Sequence, residues 1–148
     1  MNIKKIKNLV SVMGIIFLGG FMVKGGINKF LSTSKSSHEI IERAQDLLNS
    51  DEEEKLKKTL YINGLKQTGF FWPLLGICEL LFGLLLFLPN TRLFSALMLV
   101  PITLQIFLFH LFLESDEISE LILTLGLFLT NLIIIYLKKS TFLKLFET

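Results

Sequence analysis

The hydrophobic positions of this chain gather into four long apolar segments, at about residues 7–24, 69–88, 92–113 and 118–137. Apolar residues run on within each segment without the alternation of a β-strand, which predicts helices and not a β-barrel. A helix rises about 1.5 Å per residue, so roughly 20 apolar residues cross a hydrocarbon core of about 30 Å. The pattern predicts an all-α protein: a four-transmembrane-helix bundle that forms a single membrane domain over residues 1–148, with the lipid bilayer as its surroundings.

The first apolar segment allows two interpretations. Several lysines precede an apolar core from Leu9 to Val23, an arrangement that signal peptides share with first membrane spans. Residues 21–26, which follow the core, contain no small-x-small cleavage site. We therefore expect an uncleaved span, with a secretory signal peptide as the alternative.

The connection between the first two spans, about residues 32–66, is predicted to be helical and extramembrane. Ser36 and Glu39 have the spacing of a capping box, and apolar residues then recur at helical spacing from Ile40 to Leu48. Ser50, followed by acids, repeats this start signal before a second helix. An apolar stripe with a charged back is typical of helices that lie in the membrane interface or cap a bundle, and a docking surface for a partner is the alternative.

Charge gives an orientation and excludes one class of partner. The net charge of +2 is too small to indicate nucleic-acid binding. Lysines of both chain ends, together with Arg92, fall on one side of the four spans, whereas the turn at 114–120 carries acids and no Lys or Arg. By the positive-inside rule, both termini are expected in the cytoplasm and the protein in the cytoplasmic (inner) membrane. The long connection, with eight basic residues against seven acids over 24–66, then lies outside, where longer loops respond less to charge.

Cysteine and histidine limit the available chemistry. Cys78 is the single cysteine and lies within the second span, so no intramolecular disulfide, redox pair or thiolate metal cage is predicted. It is interpreted as a small packing residue. His38 has no second His or Cys at ligand spacing and is interpreted as a solvated polar residue. No metal site is predicted.

The most informative polar residue in the spans is Glu79, because an ionisable group inside a membrane is costly and tends to face a bundle interior or a cavity. Its helical face also carries Trp72, Gly76 and Gly83, and small residues there allow a neighbouring helix to approach. We expect the carboxyl group to point into the bundle. A structural polar contact and a ligand or proton site remain equally open.

Candidate partners for Glu79 can be ranked by depth in the membrane. Gln105 and Asn131 lie near the middle of their spans, whereas His110 lies toward the outer end of its span. Gln105 points well away from His110 around the helix, so the two are not expected to reach one small site. Lys29, beyond the end of the first predicted span, is expected to extend outward to the interface.

Ordered motifs from Gly25 to Leu113 resemble the DoxX family of small four-helix membrane proteins. The resemblance is carried by five segments: Gly25-Gly26-Ile27-Asn28-Lys29-Phe30, Thr68-Gly69-Phe70-Phe71-Trp72-Pro73, Glu79-Leu80, Arg92 and Phe109-His110-Leu111. It implies a four-helix membrane fold and a link to quinone-dependent redox complexes. It also implies that the family's functional positions correspond here to Lys29, Glu79, Arg92 and His110.

Two functions from different classes follow. In the first, the protein is an accessory or quinone-binding subunit of a membrane oxidoreductase, with a quinone as the candidate cofactor and a redox protein as the partner. The candidate ligand-binding residues are then Glu79, His110, Lys29, Gln105, Asn131 and Arg92. An autonomous enzyme is not expected, because the spans contain no haem-ligand pair, metal cluster or cysteine pair. In the second, the protein is a non-enzymatic scaffold or envelope-integrity protein in which Glu79 only fixes helix register. Transport is a weaker third option.

Overall fold

The computed structural model describes residues 3–138, and over this range the chain is all-helical. The prediction of an all-α protein is confirmed. Its six helices are α1 (Ile3–Leu31), α2 (Ser37–Asn49), α3 (Glu53–Gln67), α4 (Phe71–Leu85), α5 (Arg92–Leu113) and α6 (Ile118–Leu137).

Three helices of the described range, α1, α5 and α6, are long and apolar enough to cross a membrane. Helices α3 and α4 meet this criterion only as a pair, and they are bent by 88° at the break between them. α4 alone has 15 residues, which span about 23 Å. The apolar helices fit a lipid bilayer, with three candidate spans and one short helix in place of the second predicted span, 69–88.

Helix α1 continues well past the predicted end of the first span at residue 24 and ends at Leu31. It contains 29 residues, a length of about 44 Å. The two extra turns carry Asn28 and Lys29 on a regular helix. This extension decides where the charged end of α1 lies.

Two antiparallel helix pairs form the bundle, and glycines set the spacing of the first pair. In α1/α4, a Cβ at Gly26 would lie only 2.8 Å from the carbonyl oxygen of Gly76, and one at Gly19 only 3.2 Å from that of Gly83. Such small residues allow close backbone approach, as expected from the glycines on the Glu79 face. In α5/α6, the rings of Phe107 and Phe128 stack with centroids 6.3 Å apart.

The two pairs meet near the end of the bundle where α4 ends and α5 begins. There the hydroxyl of Ser95 donates to the carbonyl oxygen of Phe82, joining α4 to α5. A Cβ at Gly14 would lie 3.1 Å from the Thr130 side chain, joining α1 to α6. Between these contacts lies the apolar core, built from Ile15, Leu18, Met22, Phe82, Leu86, Ala96, Leu99, Leu127 and Ile134.

The outer surface of the bundle is also apolar. Met13, Ile16 and Ile122 are 60–65% exposed, and many other large apolar side chains on α1, α4, α5 and α6 share this orientation. A continuous apolar surface of this kind is unusual for a protein in water and suits contact with lipid.

The connection between α1 and α4 forms the two predicted helices, but the predicted start of the second helix at Ser50 was wrong. The capping box of α2 is confirmed: Ser36 Oγ accepts from the backbone N–H of Glu39, and the carboxylate of Glu39 accepts from the backbone N–H of Ser36. Ser50 does not start α3. Its hydroxyl donates to the last carbonyls of α2, Asp51 adopts a left-handed conformation with φ 58°, and α3 begins at Glu53. Ser50 ends one helix because its hydroxyl reaches back along the chain.

Candidate functional site

A cavity of about 400 Å³ lies between the two helix pairs, at the end of the bundle opposite to the Ser95 and Gly14 contacts. Its walls come from α1, α4 and α5, and α3 crosses over it with Tyr61, Ile62 and Leu65. Most of the lining is apolar, and the polar groups are few: Asn28, Lys29, Ser32, Tyr61, Trp72, Glu79, Gln105 and His110. A mostly apolar pocket with a few directed polar groups is the usual form of a small-molecule site.

An ion pair between Lys29 and Glu79 forms one wall of the cavity. Lys29 Nζ donates to both carboxylate oxygens, at 2.9 Å to Oε1 and 2.7 Å to Oε2. The Glu79 side chain is only 2% exposed and that of Lys29 is 15% exposed. Gly25 makes room for the carboxylate, because a Cβ there would lie 3.1 Å from Oε2. The pair joins α1 to α4 and satisfies a charge that burial alone would make costly.

Trp72 extends this wall toward the end of the bundle that α3 crosses. Its indole N–H donates to Ser32 Oγ at 3.0 Å, and the Ser32 hydroxyl donates to the carbonyl oxygen of Lys29 at 3.0 Å. The ammonium nitrogens of Lys29 and Lys66 lie 5.3 Å and 5.0 Å from the Trp72 ring centroid, within cation–π range. These contacts orient the only tryptophan of the sequence along the cavity.

The opposite wall is formed by α5 together with α3. Gln105 Nε2 donates to the Tyr61 hydroxyl at 2.6 Å, and the Tyr61 ring packs on Phe109 with centroids 5.6 Å apart. Because the Tyr61 oxygen accepts this bond, its own O–H is available to a further acceptor. Gln105 therefore links the roof of the cavity to its wall.

His110 lies in this wall nearer to the C-terminal end of α5 than Gln105, and it connects to a charged cluster at the rim. Its Nδ1 is 2.9 Å from Glu114 Oε2, a distance that permits an ion pair when the ring is protonated, but the orientation does not make a hydrogen bond. Glu114 also pairs with Lys58 of α3. The cluster fixes α3 to the end of α5.

A second attachment of α3 involves the turn between α5 and α6. The Ser115 hydroxyl donates to Glu54 at 2.7 Å. This hydrogen bond, followed by one with Asp116, lowers the pKa of Glu54, whereas the bond to Glu54 raises the pKa of Asp116 above its usual range. At the other end of α3, Gln67 Nε2 donates to the carbonyl oxygen of Lys35, in the loop between α1 and α2, at 2.8 Å.

Four of the six predicted site residues meet at this cavity, and one expectation about them was wrong. Gln105 and His110 both line it, because the cavity is wider than the small site considered for them and spans the arc of helix between them. Lys29 turns inward to Glu79 instead of outward, because the long α1 carries it beside α4. Tyr61 was missed: no local pattern marks which face of α3 meets the bundle.

Asn131 and Arg92 lie elsewhere. The expectation that Asn131 neighbours Glu79 was wrong: its Nδ2 is 3.3 Å from Thr103 Oγ1 in the buried α5/α6 interface. Arg92 begins α5 at the far end of the bundle, where its Nε donates to the carbonyl oxygen of Leu86 at 3.1 Å. It caps the C-terminal end of α4 and does not reach the cavity.

Comparisons of the chain with family models, with curated proteins and with solved structures find no match. The class of protein therefore rests on the molecule itself, which is an all-helical protein whose apolar helices fit a lipid bilayer. Within residues 3–138 no group of three or more His, Cys, Asp and Glu side chains is placed to hold a metal ion. The cavity walls offer hydrogen bonds and balanced charge.

Proposed function

We propose that this chain is a DoxX-like integral membrane protein whose cavity binds the head group of a quinone, and that it serves as an accessory subunit of a membrane redox complex. The single observation that carries the proposal is the Lys29–Glu79 pair in the wall of an otherwise apolar cavity of about 400 Å³. A quinone head group is a neutral ring with oxygen acceptors at opposite edges, and it needs one or two donors in an apolar pocket.

Two donors on facing walls support this ligand class. An ammonium group has three N–H bonds, and Lys29 uses two of them on Glu79. The Tyr61 hydroxyl retains its own proton for a ligand on the other side. Because the charges of Lys29 and Glu79 cancel, the walls favour a neutral ligand over an anion.

The proposal includes four membrane crossings with both termini in the cytoplasm of the inner membrane. In this arrangement α4 is the short second span, and α3, bent by 88° from it, would lie along the outer surface of the membrane. Cysteines introduced into a Cys78→Ser background test this topology. Ser50→Cys and Ser115→Cys are expected to react with a membrane-impermeant maleimide added outside, and Asn90→Cys only after the membrane is opened. Labelling of Asn90→Cys in intact cells would refute the orientation.

Purification from native membranes in mild detergent, followed by mass spectrometry of lipid-soluble cofactors and copurifying proteins, tests the function. We expect a quinone and a membrane reductase or oxidase. Glu79→Gln is expected to fold but to lose most of the quinone, since it keeps only one of the two acceptor oxygens that hold Lys29 in a fixed direction. Leu84→Gln, a polar change at a site that is 55% exposed on the outside of α4, is the matched control and should retain the quinone. A quinone-free wild-type protein would contradict the proposal.

A scaffold or envelope-integrity protein is the second candidate, favoured by the position of the ion pair between α1 and α4. In that case the pair only links two helices. Glu79→Gln should then keep its cellular role and its partners and change only thermal stability. The Glu79→Gln variant therefore distinguishes the two candidates through two measurements, the amount of bound quinone and the thermal stability.

A further inference from the structure

The cavity has an unfilled side between α1 and α6. Gly14, Phe21, Gly25 and Asn28 are spaced three, four or seven residues apart and share one face of α1. At Gly14 this face packs on α6, where a Cβ would touch Thr130 at 3.1 Å. From Phe21 onward the same face lines the cavity, and among the described residues none of α6 is part of the lining.

This face of α1 is therefore in contact with α6 at the Gly14 level, whereas at the cavity level no described residue of α6 lines the space beside it. Asn28 lines the cavity and yet is exposed, although it lies on the face of α1 that packs on α6 at Gly14, nearly four turns earlier. On the α4/α5 side, by contrast, α3 fills the gap, with Tyr61 bonded to Gln105. α3 also covers the end of the bundle through Ile62 and Leu65. The opening that remains faces sideways.

We propose that the cavity opens laterally into the bilayer between α1 and α6, and that it takes the head of a membrane-dissolved amphiphile whose apolar tail leaves through this gap. The inference deepens the proposed function and rests on it for the head group. On α1 the wall of the gap includes the apolar Phe21, two turns before Asn28, and an apolar side chain suits contact with a tail. A ligand that arrives from lipid has no need to displace α3.

The test uses Trp72, the single tryptophan, which lines the cavity and reports contact with a quenching quinone. The full chain is placed in lipid nanodiscs and titrated with ubiquinones that carry two or ten isoprene units. A closed cavity of about 400 Å³ has no room for the longer tail. A cavity that opens into the bilayer should bind both ubiquinones. Their affinities, expressed per mole fraction of quinone in the membrane, should then agree within about threefold.

Two variants of α1 localise the opening. Asn28→Phe narrows it and is expected to weaken binding of the long-tailed ubiquinone by about tenfold. Ile27→Phe is the matched control. Ile27 is 45% exposed, and its side chain points about 100° away from that of Asn28 around the helix. The affinity of this variant should stay within about twofold of that of the original protein.

The outcomes separate this inference from the proposed function. Binding of the short-tailed quinone alone would overturn the lateral opening and leave the quinone site standing. If neither ubiquinone binds, a quinone is excluded as the ligand. Quenching of Trp72 by phosphatidylcholine with brominated acyl chains then tests the lateral opening by itself. Quenching of Trp72 that Asn28→Phe relieves and Ile27→Phe does not would support it. Equal quenching in all three proteins would overturn it.

Discussion

Removal of Lys29 and neutralisation of Glu79 are expected to destabilise the fold to different degrees, because the two side chains of this ion pair are buried to different extents. Glu79 is 2% exposed and Lys29 is 15% exposed at the wall of the cavity. A lysine without its partner can turn its flexible stem toward the cavity and water. A carboxylate without its partner at the α1/α4 interface has no comparable route. Removal of Lys29 should therefore destabilise the fold more than neutralisation of Glu79.

The magnitudes follow from the contacts. Lys29→Met removes both hydrogen bonds to Glu79 and leaves a buried acid unpaired, which typically costs about 3–5 kcal/mol. Glu79→Gln keeps an acceptor for Lys29 and weakens a charge-assisted hydrogen bond, a loss of about 1–3 kcal/mol. The double variant Lys29→Met/Glu79→Leu removes both charges and should be within about 1 kcal/mol of the original protein, or more stable.

Unfolding by sodium dodecyl sulfate in mixed micelles, followed by far-ultraviolet circular dichroism, measures these differences. Fluorescence is unsuitable because Trp72 lies against Lys29. Lys24→Met, at an exposed position of the same helix, is the control and should leave stability unchanged. Equal losses for Lys29→Met and Glu79→Gln, or a double variant as unstable as Lys29→Met, would refute the reasoning. The double variant should also lose the quinone although it folds.

Three further predictions follow from other contacts. Gly26→Ala should lower the free energy of unfolding by about 1–3 kcal/mol, because its Cβ would lie 2.9 Å from the backbone nitrogen of Leu80. Gly20→Ala, whose Cβ would meet no atom within 4 Å, should be neutral or stabilising by up to about 1 kcal/mol. Unfolding in mixed micelles compares the two variants. Tyr61→Phe should weaken quinone binding by about tenfold or less through the lost hydroxyl, with stability nearly unchanged, and an unaltered affinity would exclude Tyr61 as a donor. Lys58→Ala should speed amide hydrogen exchange in α3 but not in α6, since it releases the tie to Glu114, and equal protection of α3 would show that this tie is dispensable.

Hydropathy predicted the helices well because lipid-facing and core positions are both apolar, so the pattern does not depend on tertiary contacts. It placed the end of the first span at residue 24, where Lys24 interrupts the apolar run. The helix nevertheless continues to Leu31, because backbone hydrogen bonding and the packing of Gly26 against α4 do not require apolar side chains. Those two turns bring Lys29 level with Glu79, which a count of hydrophobic residues does not reveal.

The partners of polar groups were harder to predict than their depths. Gln105 and Asn131 lie at similar depths, yet one faces α3 at the cavity and the other faces Thr103 within the α5/α6 pair. Depth follows from position along a helix, whereas the partner depends on which helices are neighbours. That depends on the pairing of α1 with α4, and on the 88° bend that carries α3 over the bundle.

The way in which α1 and α4 are joined bears on the choice between a ligand site and a scaffold. Glycines on both helices already fix their spacing and register, since a Cβ at Gly26, Gly76 or Gly83 would collide with or press on the partner helix. A buried ion pair adds little net stability compared with apolar side chains of the same volume. Register alone therefore does not explain why an acid and a lysine stand here. Their position is explained if the third N–H of Lys29 binds a ligand. Two hydrogen bonds to Glu79 hold the ammonium group, so that its third N–H points into the cavity in a fixed direction.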